Sequence, residues 1–390
     1  MLVDYNSYKE PNSRPNRGEQ YQSDAEDLQK ALLGYDTKEN MINQNKSTKE
    51  EIIGYDALWE SMLKCQHGVR WKPSVKDFII NAPEEVFKMH KRLKNETWTD
   101  GTPRPIKIMY PKKRDGLSIS FTDRVYQRSI NDNVLYPEMT KHFIYDNCAC
   151  QKGKGTSFTR KRIKQHLWNF YSNHGINGYI LQIDLKSYFN HIKHDLILEK
   201  FGRYIPEDIC DMISKVLDKQ HIHGNSGYNP GSQMVQIAAL TALNDLDHII
   251  KEQLHIKHYI RYNDDFWILH ESKEFLENCL GFIKTYLKDH DFELNTRKTV
   301  LKRLDSGFVF LGFNYRVTET GKVIMILNSD NVKHEKKKLR RMVGKCKRGE
   351  MAKAKIDESY NDWKEFANEG NSYKLLQRMD EYYAKLWRDL

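Results

Sequence analysis

Polar and apolar positions are distributed very unevenly along this chain. The first 50 residues are dominated by Asn, Gln, Lys, Ser and Asp, include Pro11 and Pro15, and show little apolar period beyond Leu28 to Leu33. This predicts a polar extension rather than a packed element. From Ile52 to Leu93 the apolar positions Ile52, Ile53, Leu58, Met62, Leu63, Val86, Met89 and Leu93 fit helices packed on a neighbour. Residues 105–121 then alternate through Ile106, Ile108, Tyr110, Leu117, Ile119 and Phe121, predicting a hairpin that turns at Lys113-Arg-Asp-Gly116 with several cations at its tip. Helices are expected over 123–140 and 156–174, a strand over 178–185, helices near 194–218 and 232–254, and a hairpin over 257–270. A helix at 273–290, strands near 299–303 and 308–316 and a helical tail over 331–390 complete the series. Strands and helices in that order predict an α+β fold with helices on one face of the sheet.

Composition narrows the class. At 390 residues the chain suits two or three subdomains. Its 39% hydrophobic and 30% charged residues describe a soluble protein, with no apolar run long enough for a bilayer and no secretory pattern at Met1–Glu10, so no membrane association and a cytoplasmic location are expected. The six cysteines, Cys65, Cys148, Cys150, Cys210, Cys279 and Cys346, form no C-x-x-C pair and read as free thiols, with Cys148 and Cys150 on one strand face. The pairs His191/His194 and His255/His258 lack a third zinc ligand nearby and read as ordinary polar residues. A net charge of +10 favours an anionic partner, nucleic acid being the obvious one. Residues 331–353 hold ten Lys or Arg against two Glu, a run that reads either as a solvated helix face or as a surface gripping a phosphate backbone.

The most informative segment is Arg261-Tyr-Asn-Asp-Asp-Phe266. Two adjacent aspartates, Asp264 and Asp265, lie between apolar runs at a tight turn, and like charges so close together call for a cation. A third carboxylate, Asp184, ends the β-forming run Ile180-Leu-Gln-Ile. Three acids on adjacent strand ends could hold two magnesium ions. Gly153-Lys154-Gly155-Thr156 leads into a helix N-terminus, where backbone amides could meet a phosphate or a template backbone. It lacks the glycine spacing of a Walker loop, and a plain connecting turn reads equally well.

In chain order, Tyr110-Pro-Lys-Lys, Asp123-Arg124, Gly153-Lys-Gly-Thr156, Asp184, Pro230-Gly231, Asp264-Asp265, Leu294-Asn-Thr-Arg-Lys-Thr299 and Phe310-Leu-Gly-Phe313 resemble the reverse transcriptases, from roughly residue 105 to 345. The resemblance implies a right-hand polymerase of the α+β class: a polar extension over 1–50, fingers over 51–175, palm over 176–325 with room for a fingers insertion near 186–230, and a helical thumb over 326–390. It implies Asp184, Asp264 and Asp265 as catalytic residues and, with Leu185, as the metal set for two Mg2+ ions, Mn2+ being an alternative. Lys112, Lys113, Arg114, Phe189, Gln236 and Lys298 are implied at the nucleotide. Phe189 falls where the family places an aromatic against the sugar C2′, and Lys298 matches a lysine near the leaving pyrophosphate. Tyr262, Gly312, Lys154, Lys336, Lys337 and Arg340 are implied at primer and template.

Two departures stand out. Leu117-Ser118-Ile119 replaces an expected arginine after the fingers turn, and Asn229-Pro230-Gly231-Ser-Gln-Met-Val-Gln236 replaces the family's Gln-Gly-x-x-x-Ser-Pro. The second is similar to diversity-generating and defence-associated bacterial lineages. The function implied is an RNA-directed DNA polymerase of the bacterial retroelement type, with a dedicated non-coding RNA as template, dNTPs as substrates and DNA as product. An accessory protein or second polymerase subunit is a further expected partner. The alternatives are a diversity-generating enzyme, a template-independent or protein-primed polymerase, and a catalytically silent RNA-binding protein on the same scaffold.

Overall fold

The computed structural model describes residues 48–108, 114–219, 225–228 and 233–389. The expected extension over 1–50 therefore lies almost wholly outside the described residues.

The N-terminal helices are α1 (Lys49–Ile53), α2 (Tyr55–Cys65), α3 (Pro73–Ile80) and α4 (Ala82–Lys94). They bury Ile52, Leu58, Met62, Val86 and Met89 as the apolar period predicts, whereas Leu63 faces solvent. A two-stranded ribbon follows, β1 (Arg104–Ile108) against β2 (Arg114–Ser118). Its register sets Ile108 opposite Arg114 and Ile106 opposite Gly116, so three residues of the expected Lys113–Gly116 turn lie inside β2. Phe121 leaves the strand pattern and opens α5 (Phe121–Ile130), because Ser120 caps that helix by accepting from the Asp123 amide at 3.0 Å. The helix continues through a π-turn (Asn131–Leu135) into α6 (Tyr136–Met139). Next comes α7 (Thr156–His174), ended by Gly175 at φ +62° with its amide on the Tyr171 carbonyl.

Four antiparallel strands form the central sheet in the order β4-β5-β3-β6, comprising β3 (Tyr179–Asp184), β4 (His258–Tyr262), β5 (Asp265–His270) and β6 (Val300–Arg303). Alternation sends Leu181, Ile183, Tyr259, Phe266 and Ile268 into one apolar core, which they share with α1–α6. Also in that core are α9 (His194–Gly202), α10 (Glu207–Asp218), α11 (Gln233–Ala242) and α13 (Lys273–Asp289). The opposite residues Ile180, Ile260, Trp267 and Leu269 enter a second core with Ile163, Leu167 and Phe170 of α7 and with the C-terminal region. Both faces of the sheet are therefore covered, which corrects the expectation of helices on one face. Pro206, which cannot continue a helix, separates α9 from α10 where one helix is expected over 194–218.

The C-terminal region begins with a second sheet, β7 (Phe308–Phe310), β8 (Phe313–Val317) and β9 (Val323–Leu327). The strand expected over 308–316 is divided by a tight turn at Leu311 (φ +43°) and Gly312 (φ +86°) with Phe310 opposite Phe313, which is the hairpin that the resemblance implies for Phe310-Leu-Gly-Phe313. Positive φ at both positions is the hallmark of a type I′ turn. Strand β9 has no counterpart among the sequence expectations. Asn328 then caps α14 (Ser329–Lys347), followed by α15 (Lys353–Asn368) and α16 (Tyr373–Asp389), packed through Leu339, Val343, Ile356, Tyr360, Trp363, Met379 and Leu386.

Candidate active site

The β4–β5 hairpin turns in two residues, Asn263 and Asp264, with Tyr262 opposite Asp265. Asn263 takes φ +55°, a conformation asparagine tolerates better than most residues. On the other side of β5, Asp265 lies opposite Asp184, the last residue of β3. Tyr262, Asp265 and Asp184 thus form one row across three strands, on the face that Ile260, Trp267 and Ile180 share, with Asp264 at the adjoining turn.

The turn is anchored from beneath. Arg261, wholly buried, makes a bidentate pair with the equally buried Asp247 (Nε to Oδ1 2.7 Å, Nη2 to Oδ2 2.6 Å) and donates to the carbonyls of Leu240 (2.8 Å) and Asn263 (3.1 Å). Tyr259 Oη donates to the same Asp247 at 2.6 Å. The guanidinium therefore joins the acidic turn directly to α11 and to α12 (Asn244–His248).

Both oxygens of Asp184 are engaged: Lys298 Nζ lies 2.7 Å from Oδ1 and Asn295 Nδ2 2.8 Å from Oδ2. The Asn295 amide also donates to the Asp184 carbonyl at 2.8 Å, locking the 294–299 segment beside the strand end. Burial, followed by the negative charges of Asp264 and Asp184, pushes the Asp265 carboxyl up to about 7, with Lys298 acting in the opposite sense. Asp184 attracts the Lys298 ammonium and raises its pKa. Among the described residues, no three His, Cys, Asp or Glu side chains stand gathered as a finished metal cage. The hard oxygen donors and the surplus of negative charge around Asp265 nevertheless fit a divalent cation such as Mg2+. Leu185 follows directly, its side chain in the core and its backbone bridged to Leu294.

The remaining candidates are spread more widely. Phe189, in the short helix α8 (Tyr188–His191), is half-buried beside Tyr188 with ring centroids 5.6 Å apart, two residues after Ser187, which takes φ +50° in the left-handed region. Gln236 is half-buried on α11, while residues 229–232 of the departing loop lie outside the described residues. So do Lys112 and Lys113; Arg114 opens β2. Lys154 is turned inward, donating to the carbonyls of Tyr145 (2.9 Å) and Asn147 (3.0 Å), so a phosphate would have to compete with these bonds. Gly312 sits at the β7–β8 turn, where an added Cβ would meet Phe366 of α15 at 3.3 Å. Lys336, Lys337 and Arg340 are exposed on α14, with the Lys336 ammonium 4.9 Å from the Tyr382 ring centroid.

Sequence reasoning passed over Asp247 and Asn295. Asn295 had a signal in Leu294-Asn-Thr-Arg-Lys-Thr299; Asp247 had none. Cys148 and Cys150 do not share a strand face, because the chain bridges Arg261 only at Asn147 and Cys150 takes φ +52°. All six cysteines are free, and none of the helices among the described residues is long and apolar enough to cross a membrane.

Residues 111–315, just over half of the chain, match the family model described as reverse transcriptase (RNA-dependent DNA polymerase). The chain belongs to the reverse transcriptase family. Its mixed helix and sheet is the α+β polymerase fold of that family. Among solved structures, this reverse transcriptase is similar to telomerase from Candida albicans in complex with a TWJ fragment of telomeric RNA, at 11% identity and TM-score 0.46, covering 63% of this chain and 51% of that one. It is also similar to apo telomerase from Candida Tropicalis, at 12% identity and TM-score 0.46, covering 58% and 49%. The reverse transcriptase chain thus spans about half the length of these structures. No curated protein sequence matches it.

Proposed function

We propose that this protein is an RNA-directed DNA polymerase that copies an RNA template into DNA, with Asp184, Asp264 and Asp265 as its catalytic acids. The observation that carries this reading is the direct opposition of Asp184 and Asp265, with Asp264 in the adjoining two-residue turn, inside the segment that matches the family. In the proposed arrangement residues 51–175 act as fingers, 176–325 as palm and 326–390 as thumb, with the thumb helices following the Asn328 cap.

Asp184, Asp264 and Asp265, with Leu185 alongside, are the residues that would hold magnesium. When bound, the ions supply Lewis acidity toward the primer hydroxyl and the triphosphate. The protein's own part is positional. Arg261 and Asp247 hold the hairpin turn, Asn295 orients Asp184, and Lys298 offers a cation at the same carboxylate cluster where anionic phosphate would arrive. Half-buried Phe189 follows the strand that carries Asp184, and the family pattern places it against the sugar.

The biological setting proposed is that of a bacterial retroelement enzyme in antiphage defence, using a dedicated non-coding RNA. It is supported by the atypical Asn229–Gln236 loop. Primer extension on homopolymer RNA, with and without template, tests the activity. Template-dependent DNA synthesis lost in Asp184→Asn and Asp264→Asn supports the reading, whereas synthesis without template, or none by the wild type, overturns it. Sequencing the RNA and cDNA that co-purify with the protein identifies the template.

A further inference from the structure

We infer that the outward face of α7, with the adjoining Tyr145, is a stacking platform for single-stranded RNA, formed by Tyr145 and Trp168 with Lys161 and Lys164 of the same helix. This deepens the proposed function by naming where RNA outside the copied stretch is held, and it rests on that reading for the choice of RNA as the polyanion.

Two aromatic rings stand open in this region. Tyr145 is 64% and Trp168 62% exposed, although residues of their type usually cover most of their surface. Trp168 makes no ring contact or side-chain hydrogen bond among the described residues, and the other side of its helix, at Ile163, Leu167 and Phe170, is fully used in the core. Tyr145 is held upright instead of packed away. Phe158 meets it edge-on at 5.7 Å, the Arg162 guanidinium lies 5.0 Å from its centroid, and the Lys154 ammonium 5.5 Å. Even with these contacts nearly two thirds of Tyr145 stays exposed, which leaves ring surface for a base. Phe158, beside Tyr145, and Trp168 are ten residues apart on α7, about 15 Å along the axis, a span that accommodates a few consecutive nucleotides.

Charge identifies the partner. The nineteen residues of α7 include Arg160, Lys161, Arg162 and Lys164 and not one Asp or Glu. All four cations lie in the N-terminal half, where the helix dipole disfavours positive charge. Two are neutralised internally: Arg160 by Glu369 of the α15 C-cap, and Arg162 by buried Asp146. Exposed Lys161 and half-buried Lys164 make no salt bridge or hydrogen bond among the described residues, although the Glu369 carboxylate lies near enough to Lys161 to feel its charge. Cations without a salt-bridge partner on the same helix as an exposed Trp168 suit a single strand with unstacked bases; a duplex would offer its phosphates but not its base faces.

The test is a fluorescence-anisotropy titration of a fluorescein-labelled oligouridylate with the full-length protein, against the same RNA annealed to its complement. Tyr145→Ala with Trp168→Ala should weaken single-strand binding by at least roughly thirtyfold, taking the lower end of about 1 kcal/mol for each of two stacked bases, and leave duplex binding nearly unchanged. Tyr145→Phe with Trp168→Phe should restore it, which separates stacking from misfolding. Lys161→Gln with Lys164→Gln should flatten the dependence of log affinity on log salt by about 1.4, the value for two phosphates of a single strand. Full affinity in the double alanine variant, or equal losses for single strand and duplex, overturns the platform. RNA binding that behaves as described in a protein without polymerase activity would instead overturn the proposed function and leave the platform standing.

Discussion

The charge arrangement at Asp265 makes a prediction whose sign is opposite to that of most buried carboxylates. Burial and two neighbouring carboxylates disfavour its charge and push its carboxyl up to about 7 from the ordinary 3.8. A raised acid binds its proton in the folded state while the unfolded chain has already released it. Between about pH 4 and 7 stability therefore falls as pH rises, and above the folded value the full penalty is present. At 1.36 kcal/mol per unit, the displacement amounts to on the order of 4 kcal/mol. Asp265→Asn removes the penalty while keeping shape. In the presence of a chelator, the variant should match the wild type near pH 4 and exceed it by a few kcal/mol near pH 8, as read by urea unfolding across that range. Half-buried His258, lowered to about 4 chiefly by desolvation, works in the opposite direction: it stays neutral in the fold, so it costs stability as pH falls through its ordinary range. Asp100, raised to about 6, adds to the Asp265 trend. Both contributions are common to the two proteins and cancel in the difference. Saturating magnesium near pH 8 should stabilise the wild type and narrow the gap. A difference that is flat with pH, or largest in acid, refutes the account of Asp265.

Further outcomes follow from the same geometry. Asp247→Asn leaves the Arg261 guanidinium buried without a counter-charge, which should cost about 3–5 kcal/mol in urea unfolding; a loss below 1 kcal/mol would mean that the hairpin is not anchored there. Lys298→Gln frees Asp184 Oδ1 from its ammonium partner, so Mn2+ should bind the metal-free protein more tightly, as followed by the electron paramagnetic resonance of free Mn2+, and Asp184→Asn should abolish that binding. Weaker Mn2+ binding by Lys298→Gln would show that the lysine supports the site instead of competing for it. Phe189→Ala should raise ribonucleotide incorporation relative to deoxyribonucleotide in primer extension, while unchanged discrimination would assign Phe189 to packing alone.

What could be read from the sequence, and what could not, divides along the range of the interactions involved. The hairpin at Asn263-Asp264 is a local feature: two short polar residues between β-forming runs specify a tight turn, and the pairing of Tyr262 with Asp265 follows from it. The β1–β2 ribbon misled for an equally local reason. Gly116 attracted the turn, yet pairing sets it opposite Ile106 inside the strand. Coverage of both sheet faces was in fact signalled by the nearly unbroken apolar runs Tyr259-Ile260 and Phe266–Leu269, since a one-sided antiparallel strand would alternate. Strand β9 was hidden because Val323–Leu327 abuts the capped helix that starts at Ser329, and a short apolar run beside a helix carries no period of its own. Asp247 could not be seen at all. A lone acid near the end of a helix reads as solvated, and only the fold brings it within 2.6 Å of Arg261. The acids that give the turn its chemistry are thus written next to one another, whereas the pair that holds the turn in place is assembled from a helix and a strand that meet only in three dimensions. For that reason Asp247→Asn and Asp264→Asn should separate: the first should act on stability and on hairpin geometry together, the second on activity with the fold intact.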